Sequence, residues 1–94
     1  MRLVQITLPV GKRDRLLSTL DDEGIDYVVT DEVSGREFDA VAYIPLPTNA
    51  VEPTLEQLRQ AGLDDDAFTV VLEANTVVSR RYEELEERYA EEED

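Results

Sequence analysis

The sequence predicts an α+β sandwich, in which a four-stranded antiparallel sheet carries two helices on one face and a third helix closes the chain. Three observations support this prediction. The apolar patterns follow the order strand, helix, strand, strand, helix, strand, helix; Gly and Pro residues separate several of these elements; and 94 residues suffice for one domain. Hydrophobic residues make up 41% of the chain, which is enough to build a core.

The first strand and the first helix are predicted from a change in apolar spacing. Apolar side chains alternate with polar ones over residues 2–8, as in a half-buried strand. Leucines then recur at helical spacing over residues 12–23. Gly24 lies where a left-handed residue commonly ends a helix, so we expect this helix to stop there.

The middle of the chain predicts a β-hairpin followed by a helix. Residues 25–31 and 37–46 have strand character, and the few turn residues between them favour antiparallel pairing. In the helix that follows, we expect Asn49 to be the N-cap, with Glu52 completing a capping box. Gly62 ends this helix.

The last strand is predicted over residues 67–74, and either Asn75 or Thr76 caps a final helix that runs to about Ala90. The first six elements form the split βαβ pattern of a ferredoxin-like sandwich, the class that includes ACT-like domains. The side chains expected in its core are Val4, Ile6, Leu8, Leu16, Leu17, Leu20, Tyr27, Val29, Phe38, Ala40, Ala42, Ile44, Val51, Leu55, Leu58, Phe68, Val70 and Leu72.

The charge composition limits the function classes that the chain can serve. Nine basic residues stand against 23 acidic ones, for a net charge of −14, and there is no Cys and no His. We therefore expect no disulfide, no Cys/His metal site, no cofactor and no catalytic histidine. The net field disfavours nucleic acid and anionic membrane surfaces. Abundant carboxylates with a single lysine predict a protein from the cytoplasm of a salt-accumulating halophile.

Three segments carry a family resemblance: GIDYVVTDE at 24–32, PLPTNAVEP at 45–53 and VVSRRYEELEERY at 77–89. The chain resembles the N-terminal soluble region of a family of haloarchaeal multi-span membrane proteins of unknown function. The element pattern divides the chain into a ferredoxin-like domain at 1–75 and an acidic helix at 76–94. The resemblance implies that the polypeptide continues beyond Asp94 into a membrane domain, to which this helix would lead. It also implies a cytoplasmic location with a tether to the cell membrane, and it brings no catalytic residues.

The corner between the first strand and the first helix is a candidate binding site for a small anion. Its residues are Gly11, Lys12, Arg13 and Arg15, which include the only lysine. A helix N-terminus offers unpaired N–H groups, and Gly11 lets the backbone approach a ligand closely. ACT-type domains use the same corner, by analogy of fold. The structural alternative is that these cations pair with nearby carboxylates.

The acidic run Asp64–Asp65–Asp66 is interpreted as a solvated loop. Carboxylates attract hard cations, but the run lacks the spacing of a calcium loop. We therefore expect no metal site here.

An apolar stripe on the closing helix is expected to cover the sheet face that points away from the first two helices. The stripe consists of Val78, Tyr82, Leu85 and Tyr89 at helical spacing. The face it would cover carries Leu3, Val28, Val41, Tyr43 and Val71. Cover by the same chain and cover by a partner in a homodimer both stay open, as does a role of the helix in leading to a membrane domain.

These observations predict a non-catalytic sensing or regulatory domain of a membrane protein. Without His or Cys, no nucleophile, base and orienting group combine convincingly, and Lys12 has no serine near it in sequence, so we do not expect an enzyme. The alternative function is a purely structural self-association module with no ligand.

Overall fold

The computed structural model describes residues 1–64 and 67–90 and contains four strands and three α-helices in the predicted order. The elements are β1 (Arg2–Pro9), α1 (Arg13–Asp22), β2 (Val28–Asp31), β3 (Phe38–Leu46), α2 (Val51–Gln60), β4 (Thr69–Glu73) and α3 (Arg80–Ala90). A short 3₁₀ turn, Thr48–Ala50, precedes α2. The strands form one antiparallel sheet in the order β2-β3-β1-β4, so the ferredoxin-like α+β prediction is confirmed.

Burial follows from strand alternation on the two central strands. Val4, Ile6 and Leu8 of β1 are almost fully buried, and so are Ala40, Ala42 and Ile44 of β3, which pair with them across the sheet. These side chains share one hydrophobic cluster with Leu16 and Leu20 of α1 and with Leu55 and Leu58 of α2. The helices therefore cover one face of the sheet, as predicted. Gly24 ends α1 with φ +69°.

The opposite side of the sheet, which we call the open face, is defined by the strand register. Paired residues of antiparallel strands point to the same side. The open face thus carries Leu3, Gln5 and Thr7 of β1, Val41, Tyr43 and Pro45 of β3, Val28 and Thr30 of β2, and Val70 and Leu72 of β4. None of these side chains belongs to the buried core cluster of the described residues.

The predicted orientation of β4 is wrong by one residue. Val71 pairs with Val4 and therefore lies on the helix side, whereas Leu72 pairs with Leu3 on the open face. Phe68 and Leu72, expected in the core, are 62% and 45% exposed, and Val70 is half-buried on the open face. A shift of one residue exchanges the two faces of a strand, because side chains alternate.

The capping prediction at Asn49 is also wrong. The N-cap of α2 is Ala50, and within 1–64 and 67–90 no side chain caps this helix. The Nδ2 group of Asn49 instead donates a hydrogen bond of 2.9 Å to the carbonyl oxygen of Tyr89. That carbonyl belongs to the last turn of α3, where helix carbonyls have no partner within the helix. Asn49 therefore joins two helices rather than starting one.

Helix α3 packs across one end of the sandwich instead of covering the open face. Leu85 is 1% exposed within the main core cluster, and Tyr89 packs against that cluster. Arg88 donates to the carbonyl oxygen of Glu23, which follows α1, at 2.9 Å. The helix thus completes the core at the end where α1 stops and α2 begins. No helix of the described residues is both long enough and apolar enough to span a membrane.

The start of α3 also differs from the prediction, which placed the cap at Asn75 or Thr76. Ser79 caps the helix, because its hydroxyl accepts a hydrogen bond of 3.1 Å from the backbone N–H of Tyr82. The same hydroxyl donates to the Asp26 carboxylate, and the Arg81 guanidinium lies 3.7 Å from that carboxylate. Val78 precedes the helix and is 95% exposed, so it drops out of the predicted stripe.

Candidate functional site

The predicted corner forms where β1 turns into α1. Gly11 has φ +84°, a left-handed conformation that glycine adopts without strain. The backbone N–H of Lys12 donates to the carbonyl oxygen of Pro9 at 3.1 Å, which closes the turn. Helix α1 begins at Arg13, and no side chain of the described residues caps it. The first-turn N–H groups therefore point toward the corner with the positive end of the helix dipole.

Two of the three corner cations point toward the end of α2. Nζ of Lys12 lies 3.4 Å from Oδ2 of Asp64. A methyl group on Gly62 would lie 3.6 Å from both Nη1 of Arg15 and Cδ of Lys12, so both side chains lie over this glycine. The carboxyl end of α2 carries partial negative charge, which two cations stabilise. The contact between Lys12 and Asp64 is the carboxylate pairing that the structural alternative describes.

The other two corner residues line a separate cleft. Gly11, Arg13, Asp14 and Asp39 surround a volume of about 190 Å³. Arg13 makes a loose ion pair with its neighbour Asp14, with Nε 3.6 Å from Oδ1. The structure thus divides the predicted site, because Gly11 and Arg13 line this cleft whereas Lys12 and Arg15 lie against the end of α2.

Asp39 is the site residue that the sequence analysis missed. The pairing of β1 and β3 slips at this point, because Leu8 pairs with Ala40 and Pro9 with Phe38, which leaves Asp39 as a bulge. Its Oδ1 atom is buried and has no hydrogen-bond partner among the described residues. Strand alternation alone gives no signal for a bulge. The cleft therefore combines a guanidinium and helix N–H groups, which suit an anion, with a carboxylate, which suits a hydrogen-bond donor.

The acidic run after α2 is described only at its first residue. Asp64 contacts Lys12, as above, whereas Asp65 and Asp66 lie outside the described residues. Within 1–64 and 67–90, no cluster of three or more acidic side chains has the geometry to hold a metal ion. The interpretation of this run as a solvated loop stays a prediction.

The predicted interface residues separate into three groups. Leu3, Val28, Val41 and Tyr43 lie on the open face, as expected, whereas Val71 lies on the helix side. Tyr82 and Leu85 are buried, and Tyr89 is half-buried, all within the monomer. Burial raises the pKa of Tyr82, and the neighbouring Glu86 carboxylate raises it further. Tyr82, Leu85 and Tyr89 therefore pack within their own chain, and none of the described helices covers the open face.

Comparison with known proteins shows the fold of this chain. No protein-family model matches the sequence, and no curated protein matches it. A functionally unknown protein from Pediococcus pentosaceus is similar in structure, with a TM-score of 0.67, 14% identity and coverage of 83% of this chain and 95% of that one. CPII from Thiomonas intermedia, in a structure bound to ADP, AMP and acetate, gives a TM-score of 0.62 at 17% identity over 86% and 92% of the chains.

A second structure of CPII, described as a nitrogen regulatory PII-like protein bound to ADP, AMP and bicarbonate, is similar with a TM-score of 0.55. It is 20% identical, and the match covers 80% of this chain and 90% of that one. Likeness at this level of identity shows that the chain has the ferredoxin-like fold of these proteins, over most of the length of each.

Proposed function

We propose that this chain is a non-catalytic regulatory domain that binds a small anionic ligand in the cleft beside Arg13. The observation that carries the proposal is the cleft itself. In a chain of net charge −14, it joins a guanidinium, a glycine turn and the uncapped N-terminus of α1. The fold likeness to CPII supports the proposal, because the ligands in those structures, ADP, AMP, acetate and bicarbonate, are all anions.

The carboxylate of Asp39 narrows the ligand class. An anion without hydrogen-bond donors would be repelled by this carboxylate in a cleft of about 190 Å³. A ligand that also carries hydrogen-bond donors would donate to the unpaired Oδ1 atom of Asp39. We therefore expect AMP or ADP, which offer hydroxyl and amino donors, to bind more tightly than acetate or inorganic phosphate.

A titration followed by amide NMR signals tests this function. At constant ionic strength, AMP should shift the amide signals of Gly11, Arg13 and Asp14. A hydrogen bond to a charged group contributes about 1.5–3 kcal/mol, so Arg13→Gln should weaken binding by at least about tenfold. Arg59→Gln is the matched control, because it removes the same charge from an arginine of α2 whose ion pair is with Glu56.

The titration has outcomes that contradict the proposal. The proposal is overturned if none of AMP, ADP, acetate and inorganic phosphate shifts the amide signals. It is also overturned if the Arg13→Gln variant and the wild type bind AMP with equal affinity. Tighter binding of acetate than of AMP would overturn the role given to Asp39. Thermal melting gives a second readout, because a ligand that binds only the folded state raises the melting temperature.

The proposal extends to the setting of the domain, on the cytoplasmic side of a membrane in a salt-accumulating archaeon. The support is the resemblance of segments 24–32, 45–53 and 77–89 together with the excess of acidic residues. The full reading frame of the gene tests this setting, since the proposal requires it to encode hydrophobic spans of about 20 residues.

A further inference from the structure

We propose that the open face is a self-association surface, on which the open face of a second copy of this chain packs. The open face is exposed at both of its edges. Val28 at the β2 edge is 63% exposed and Leu72 at the β4 edge is 45% exposed, with Tyr43 half-buried between them. Phe68, 62% exposed, follows the same alternation just outside β4. Contiguous apolar surface of this kind marks an interaction site.

The open face is also uncharged, and this property selects a second copy of the chain as its partner. Every side chain that the register places on the open face is uncharged, although 34% of the chain is charged and its net charge is −14. Two copies that approach through other surfaces bring carboxylates together. The open face allows contact without opposing like charges, so it is complementary to itself. A basic partner would find no opposite charge on the open face.

The area of the open face sets the strength of the contact. Four strands about 4.8 Å apart and five residues at about 3.4 Å each give a projected area of about 19 by 17 Å. A standard stable interface buries about 800 Å² per partner, so the open face alone forms a weak contact. The residual repulsion between two chains of charge −14 weakens it further at low salt. We therefore expect association that strengthens with salt and with protein concentration.

Sedimentation equilibrium in KCl tests this inference. In about 2 M KCl, where the Debye length is below about 3 Å, the mass should rise above that of the monomer as protein approaches about 1 mM. The variants Leu72→Lys and Val28→Lys should stay monomeric, because each buries a charge in the contact. Val78→Lys is the matched control: it places the same charge at an exposed valine that lies off the open face, and it should associate like the wild type.

The control separates the specific contact from general charge effects. A lysine lowers the net negative charge, so by repulsion alone all three variants would associate more strongly than the wild type. Circular dichroism melting verifies that each variant is folded, and Val28→Lys serves where Leu72→Lys fails to fold. A wild type that stays monomeric at about 1 mM in about 2 M KCl would overturn the inference, as would association that Val78→Lys abolishes and the other two variants retain.

Discussion

Ser34 fixes the carboxylate of Glu32 in the turn between β2 and β3. Its backbone N–H donates to Oε1 at 2.7 Å, and its hydroxyl donates to Oε2 at 2.9 Å. These two bonds hold the pKa of Glu32 below its ordinary value. The backbone bond has the larger effect, the hydroxyl bond adds to it, and the charge of Arg36 lowers the pKa further. The bonds therefore stabilise the turn while Glu32 is ionised. Their contribution to folding stability is present above the pKa that Glu32 has in the unfolded chain. It is lost as the pH falls through the lower pKa of Glu32 in the folded protein.

The variant Ser34→Ala should raise the pKa of Glu32 part of the way toward its ordinary value. The hydroxyl bond disappears, whereas the backbone bond remains. An NMR titration of the Glu32 carboxyl signal measures the change. Ser18→Ala, at an exposed serine of α1, is the control and should leave this pKa in place. An unchanged pKa in Ser34→Ala would show that the hydroxyl has no part in it.

In the corner between β1 and α1, some site residues could be predicted from the sequence and others could not. Gly11 and Arg13 could be placed from the sequence, because a glycine between a strand and a helix and a cation in the first helical turn are local features. The contact of Lys12 with Asp64 joins distant parts of the chain. The bulge at Asp39 depends on the register between β1 and β3. Neither this contact nor this bulge can therefore be recognised from neighbouring residues in the sequence.

Among the elements, β4 shows the limit of apolar periodicity. Val70, Val71 and Leu72 are consecutive apolar residues, so alternation cannot decide which of them face the helices. The decision comes from pairing with β1, which places Val71 beside Val4. The helices and the β2–β3 hairpin could be predicted because their spacing and turn residues are unambiguous. The docking site of α3 depends on distant partners such as Asp26 and Asn49.

Helix α3 should lose stability when its cap is removed. Ser79→Ala deletes the acceptor for the N–H of Tyr82 and the hydrogen bond to Asp26. A lost cap costs about 1 kcal/mol, which for a domain of this size lowers the melting temperature by about 4–8 °C. Ser18→Ala again provides the control, since alanine in a helix interior is at least as favourable as serine. A melting temperature equal to that of the wild type would mean that the Ser79 hydroxyl does not hold α3.

For the whole molecule, we expect the net charge of −14 to make stability depend on salt. Self-repulsion destabilises the compact state, and salt screens it. The melting temperature should rise steeply between about 0.1 M and about 2 M KCl, as the Debye length falls from about 10 Å to below 3 Å. Dilute protein keeps self-association out of the measurement. A variant with Glu83, Glu84 and Glu87 changed to Gln should melt higher at low salt and respond less to KCl. A flat melting temperature over this range would contradict the halophile interpretation.

The central position of β1 has a consequence for how the chain assembles. Val4 pairs with Ile44 on one side and with Val71 on the other, and both partners are far along the chain. Contacts of large sequence separation form slowly, because loop closure costs entropy before pairing repays it. During synthesis β1 leaves the ribosome first, yet its second edge stays unpaired until β4 has emerged. The β2–β3 hairpin is local and can pair earlier, so the order of assembly differs from the order of translation. A chain interrupted before Thr69 lacks β4 and retains an apolar central strand with an open edge, the kind of surface that aggregates.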